Sequence, residues 1–161
     1  MQIFITYAPE DETLAASLAY DLRRMGADVW LGSDSASSND AAAWALGVED
    51  ALNNSDMLLV IASPSALRES YIASDFRRFL TAGRPVMVAT AATCPNMPEL
   101  LRRRNPVDFS RGYTAAFHRL TTMMIDRATR SIIRSPLQAA ITDDLIYRYQ
   151  RFYNSGNFYS D

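Results

Sequence analysis

The sequence predicts an α/β fold in which a five-stranded parallel sheet is flanked by helices. Short apolar segments alternate with helical patterns along most of the chain, the order that parallel strands and their crossover helices require. The segment Met57 to Ala62 is apolar throughout, as expected of a strand covered on both faces. A length of 161 residues suits a single domain.

The first part of the chain predicts two strands and the helix between them. Gln2 to Tyr7 is rich in β-branched and aromatic residues and stops before a proline, which predicts the first strand. In Asp11 to Met25 the leucines repeat at helical spacing and a glycine follows the arginines of the last turn. Asp28 to Leu31 is predicted as the second strand.

The middle of the chain continues the alternation after a long polar segment. Gly32 to Ala43 has small polar residues and no periodicity, so it is predicted as the longest loop. Trp44, Val48 and Leu52 then fall on one face of a predicted helix. The apolar third strand follows this helix.

The remaining predicted elements complete the sheet. A helix that carries Tyr71 and Asp75 follows the third strand. Pro85 to Ala91 and Val107 to Phe109 are predicted as the fourth and fifth strands, and Tyr113 to Ile125 as the closing helix. We place the domain boundary near residue 130, with a C-terminal amphipathic helix and a frayed tail in residues 131–161. This tail is either a docking helix or a linker toward a partner.

Composition narrows the possible functions. Sixteen basic and eighteen acidic residues give a net charge of -2, which predicts no nucleic-acid or membrane partner. Every basic residue except the histidine is an arginine, so chemistry that needs a Schiff-base or P-loop lysine is excluded. A single cysteine and no apolar N-terminal run predict a reducing, cytoplasmic location.

Several active sites common in α/β folds are not supported. The six glycines are too scattered for a dinucleotide-binding turn or a phosphate loop. A receiver domain needs a lysine, and a serine hydrolase needs a glycine-flanked elbow where Ser63 is followed by Pro64. His118 and Cys94 are isolated, so we predict no metal site.

The best candidate site lies at the carboxyl edge of the sheet, where open α/β sheets bind ligands. Tyr71 and Asp75 are four residues apart and therefore share a helix face. The alternative for Asp75 is an exposed carboxylate paired with Arg78. At the ends of the first and second strands, the expected substrate-binding residues are Tyr7, Ala8, Trp30 and Leu31, although Trp30 is also a plausible core residue.

Six motifs together resemble a TIR (Toll/interleukin-1 receptor) domain of bacterial type over about residues 2–126. They are FITYAPED from Phe4, the DVW strand with its long loop, Trp44, the SD-x-LLVIASP strand, Tyr71 with Asp75, and the GRPVMV strand. The resemblance implies a flavodoxin-like TIR fold. It also implies one of two functions known in that family, which are NAD cleavage or cyclisation in stress or antiviral signalling, and self-association in signalling.

By this resemblance Asp75 occupies the position of the family's catalytic glutamate, and Tyr71 that of an aromatic residue that is usually tryptophan. NAD would then be a substrate or ligand, without a further cofactor. Aspartate is shorter than glutamate by about 1.5 Å, and a shift of roughly 1 Å in a catalytic group can cost about a hundredfold in rate. The sequence therefore leaves three hypotheses open: an NAD-cleaving enzyme, a non-enzymatic assembly module, and a sensor of NAD or a derivative.

Overall fold

The computed structural model describes residues 1–32, residues 41–132 and Tyr147. In this part of the chain, strands and helices alternate from the first strand to the last helix. The strands are β1 (Gln2–Thr6), β2 (Asp28–Leu31), β3 (Met57–Ala62), β4 (Val86–Thr90) and β5 (Val107–Asp108). The helices are α1 (Glu12–Arg24), α2 (Ala41–Asn54), α3 (Ser70–Thr81), α4 (Glu99–Arg102) and α5 (Tyr113–Ile132).

The five strands form one parallel sheet in the order β2-β1-β3-β4-β5, which confirms the predicted fold class. The register pairs Phe4 of β1 with Trp30 of β2 and Leu58 of β3. Every residue of β3 is buried, because this central strand has helices over both faces. All carboxyl ends of the parallel strands meet at one edge, which is where a ligand site is expected.

Two apolar clusters cover the two faces of the sheet. One packs α1 and α5 against side chains such as Ile3 and Ile5 of β1. The other packs α2, α3 and α4 against the opposite face, with Phe4 of β1 and Phe79 of α3 among its members. The alternation of Ile3, Phe4 and Ile5 between the clusters follows from the two-residue period of a strand.

Glycines terminate α1 and α3 as the sequence predicts. Gly26 and Gly83 have φ values of 92° and 66°, a left-handed conformation that glycine adopts without a Cβ clash. At the end of α3 the Gly83 and Arg84 amides donate to the carbonyls of Leu80 and Phe79, at 3.1 and 3.0 Å. This is a Schellman motif, and it turns the chain directly into β4.

Several boundaries differ from the sequence prediction. Helix α5 continues to Ile132, past the predicted end at Ile125, so the proposed domain boundary at residue 130 falls in its last turn. Helix α2 begins at Ala41, inside the predicted loop, and α4 was not predicted as an element. The predicted loop residues 33–40 and nearly all of the C-terminal segment lie outside the described residues. No helix in the described ranges is both long and apolar enough to span a bilayer.

Arg84 joins the end of α2 to the α3–β4 connection. Its guanidinium donates to the carbonyls of Leu52 and Ser55, at 2.7 and 2.8 Å. It also lies 3.9 Å from the centre of the Phe79 ring. The cation therefore satisfies carbonyls at the C-terminal end of a helix, where positive charge is favourable.

We expect Arg84→Met to lower the free energy of unfolding by about 1–3 kcal/mol, because the two carbonyls lose a charged donor. Urea denaturation of the variant and the parent measures this difference. Arg77→Met is the matched control, since Arg77 is exposed on α3. Equal losses in both variants would show that the Arg84 contacts do not stabilise the fold.

Candidate functional site

A cleft of about 410 Å³ opens at the carboxyl ends of β1 and β2, on the side of the sheet covered by α2 and α3. Its volume lies in the range of small-molecule sites. The lining combines aromatic and aliphatic side chains with two carboxylates, one aliphatic hydroxyl and two phenols. The lining residues are Phe4, Ile5, Thr6, Tyr7, Pro9, Glu12, Trp30, Gly32, Trp44, Val48, Tyr71 and Asp75.

Asp75 is the half-buried acid of this cleft. The Thr6 hydroxyl donates to Asp75 Oδ2 at 2.9 Å, which joins β1 to α3 across 69 residues of sequence. Within the described residues, no hydrogen bond to Asp75 Oδ1 accompanies it. The alternative pairing with Arg78 is not formed, because the Arg78 guanidinium binds the Glu49 carboxylate of α2.

Burial raises the pKa of Asp75 from 3.8 to about 6, since a charged carboxylate is less well solvated in the cleft. The Thr6 hydrogen bond and the positive charge of Arg78 oppose this rise, and the nearby Glu49 carboxylate adds to it. The carboxylate is therefore mostly ionised at neutral pH and becomes protonated just below it.

Tyr71 lies one helical turn before Asp75 and forms a wall of the cleft. Its hydroxyl donates to the backbone carbonyl of Tyr7 at 2.7 Å, so the start of α3 is tied to the end of β1. Burial, followed by the charge of Glu69, raises the pKa of Tyr71 to about 12. The phenol thus stays protonated and keeps this hydrogen bond at physiological pH.

Two tryptophans form the apolar wall opposite α3. Trp30 stacks on Phe4 with ring centres 4.9 Å apart and an interplanar angle of 14°. The Trp44 indole donates to the Gly32 carbonyl at 3.2 Å, while 41% of the residue stays exposed. Both indoles line the cleft, so its wall at β2 and α2 is largely aromatic.

Four of the six predicted site residues line the cleft, namely Tyr7, Trp30, Tyr71 and Asp75. Ala8 and Leu31 do not, because both side chains are buried in the core. Leu31 follows Trp30 on β2 and so points to the opposite face, into the α1–α5 cluster. Ala8 packs into the α2–α3 cluster just before the turn Pro9–Asp11.

The sequence prediction missed Thr6 and Glu12 and did not assign Trp44 to the site. Thr6 has the same side-chain direction as Phe4 on β1, so the two-residue period could have placed it on the cleft face. Glu12 is the first residue of α1, and nothing in its sequence context marks it as a cleft residue. Residues 1–32 and 41–132 contain no group of three or more side chains suited to hold a metal.

A parallel α/β sheet in the order β2-β1-β3-β4-β5 defines a flavodoxin-like domain, and in this chain a cleft with an acid and aromatic walls lies at its carboxyl edge. The sequence model described as "TIR domain" matches residues 3–121, which is most of the chain. The chain therefore belongs to the TIR domain family.

Similarity to solved structures supports the same fold. One of fifteen matching chains is the TIR domain of the Toll-related receptor TRR-2 from Hydra magnipapillata. The two are 22% identical, with a TM-score of 0.57 over 67% of this chain and 83% of that chain. No curated protein matches the sequence.

We expect Asp75→Asn to stabilise the protein above about pH 6 and to have no effect below about pH 4. The folded pKa is raised above the unfolded value, so ionisation of Asp75 costs folding free energy as the pH rises through about 6. After allowance for solvent screening, we expect the free energy of unfolding of Asp75→Asn to exceed that of the wild type by about 1–2 kcal/mol at high pH. Urea denaturation at both pH values measures it.

Asp50→Asn is the matched control for this prediction, since Asp50 is an exposed acid of α2 outside the cleft. A gain that is equal at both pH values, or equal in both variants, would contradict a desolvated Asp75 carboxylate.

Proposed function

We propose that this TIR domain cleaves NAD at the bond between nicotinamide and ribose, with Asp75 as the catalytic residue. The observation that carries this proposal is the half-buried carboxylate, held by Thr6, at the wall of a 410 Å³ cleft. Membership of the TIR domain family, whose domains are signalling modules, supports it. The signalling role in stress or defence belongs to the same proposal.

The chemistry requires few protein groups. The bond between ribose C1′ and the pyridinium nitrogen breaks, and its electron pair goes to the nitrogen. Nicotinamide leaves as a neutral molecule, so no general acid is needed. The ribose becomes cationic at C1′, and either water attacks with loss of a proton or a nucleophile of the substrate itself closes a ring. A carboxylate that stabilises the developing positive charge is therefore the main requirement.

The environment of Asp75 suits this role. Partial burial strengthens the attraction between the carboxylate and a cationic ribose, because water screens the two charges less. The Tyr71 ring is fixed by its hydrogen bond to the Tyr7 carbonyl, and the stacked Trp30 offers an aromatic surface to the cationic nicotinamide. Together these groups would hold the substrate ribose near the acid.

A second candidate function is the binding of NAD or a related nucleotide without turnover. The observation that favours it is the identity of residue 75, because an aspartate reaches about 1.5 Å less far than a glutamate. Such a domain would act as a sensor or as an assembly module with other TIR domains. Both candidate functions bind a nucleotide in the same cleft. They are distinguished by whether nicotinamide is released.

We expect concentrated protein to release nicotinamide from NAD, and Asp75→Ala to reduce this release by at least about a hundredfold. Concentrated protein is used because TIR domains interact with other TIR domains. Asp50→Ala is the control, since it removes an exposed acid of the neighbouring helix without changing the cleft. Release that is the same in the wild type and in Asp75→Ala would refute catalysis by this residue.

The substitution Asp75→Glu separates the two candidate functions. If the cleft is catalytic but its acid is short, we expect the longer side chain to increase nicotinamide release by about tenfold or more. Calorimetric titration with NAD is done in parallel. Binding without release in both the wild type and Asp75→Glu would support the sensor and exclude the enzyme.

A further inference from the structure

The hydroxyl of Thr6 is buried and makes its side-chain hydrogen bond to the acid of the cleft. Thr6 is only 3% exposed, and β1 holds its backbone in register with Val60 of β3. Its β-branched side chain has few rotamers, so the strand fixes the direction in which the hydroxyl donates. A carboxylate on a helix, by contrast, can rotate about two bonds. The rigid partner of the pair is therefore Thr6 and the adjustable one is Asp75.

We propose that Thr6 is a positioning residue for Asp75: it holds Oδ2 from the strand side and so leaves Oδ1 for a ligand in the cleft. This inference rests on the proposed function, which it deepens by naming the group that orients the acid. A carboxylate held at one oxygen is preorganised, so less order has to be gained when charge develops on the substrate.

The surroundings leave Thr6 as the direct donor to this acid. Arg78, three residues after Asp75 on α3, is bound to Glu49, and it acts on Asp75 through its charge. Tyr71 donates to a backbone carbonyl and is committed there. The titratable and charged side chains near Asp75 come from the residue after β1 and from three helices. They are Tyr7, Glu12 of α1, Glu49 of α2, and Tyr71 with Arg78 of α3.

Removal of the donor should raise the pKa of Asp75. The hydrogen bond favours the ionised form of Asp75, and burial favours the neutral form. Of the interactions that lower the pKa of Asp75, the hydrogen bond from Thr6 is the largest, so its removal leaves the effect of burial mostly uncompensated. Loss of a hydrogen bond to the charged carboxylate corresponds to an increase of about one unit in the pKa of Asp75. The carboxylate would then be protonated over a wider range, up to about neutral pH.

The test compares Thr6→Val, which is isosteric but has no hydroxyl, with Thr6→Ser, which keeps the donor. The carboxyl carbon-13 shift of Asp75, followed by NMR across pH, reports its pKa directly and without NAD. We expect Thr6→Val to raise the pKa by about one unit, and Thr6→Ser to leave it near the wild-type value. Thr90→Val is the control, since Thr90 ends β4 outside the cleft.

Nicotinamide release at about pH 8, where Asp75 is ionised in all variants, isolates the positioning effect. There we expect Thr6→Val to lower kcat about tenfold with KM within about twofold, and Thr6→Ser to recover most of the rate. An increase in KM with kcat unchanged would overturn the positioning role. An unchanged Asp75 pKa in Thr6→Val, or an equal change in Thr6→Ser, would also overturn it.

The two proposals can fail separately. If the wild type releases no nicotinamide but the pKa responds to Thr6 as expected, the proposed reaction is wrong and Thr6 still positions a ligand-facing acid. If release is normal and the pKa does not respond, the reaction stands and the role of Thr6 is refuted. Should Thr6→Val fail to fold, Thr6→Ala removes the same hydroxyl with less crowding and is measured in the same way.

Discussion

The burial of β3 between two layers of helices is the constraint on which the rest of the structure depends. All six residues of this strand are buried, so α1 and α5 must cover one face and α2, α3 and α4 the other. A parallel sheet with both faces covered leaves only its ends free for polar groups. The cleft, the acid and the aromatic walls all lie at the carboxyl end, where the core requires no apolar side chain.

Packing against the sheet also determines which side chains of α3 reach the cleft. Ile72, Phe76 and Phe79 form the buried stripe of this helix. Tyr71 and Asp75 precede the first two of them by one residue each, so they lie at the border of the stripe and not on the solvent side. The rotation of α3 that buries the phenylalanines thus brings the phenol and the carboxylate to the end of β1.

Local sequence pattern predicted the five strands and the candidate acid, but it did not predict α4. It was also insufficient where contacts between residues distant in sequence determine the position of a side chain. The apolar run of β3 and the glycines at 26 and 83 were sufficient to place strands and helix ends. Leu31 was assigned to the site because it ends a strand, although the strand period turns it into the core. The pairing of Arg78 with Glu49 instead of Asp75 depends on the position of α2, which short-range spacing does not encode.

The cleft combines features that oppose one another energetically. Burial that strengthens the attraction of Asp75 for a cation also disfavours its own ionised form, which is why its pKa rises to about 6. A donor on the strand offsets part of that cost and limits the motion of the side chain at the same time. Without such a donor, the buried acid would be neutral over a wider pH range. Thr6 is buried on β1, which pairs with β2 on one side and β3 on the other, so the sheet holds the donor that offsets part of the cost of burying the acid.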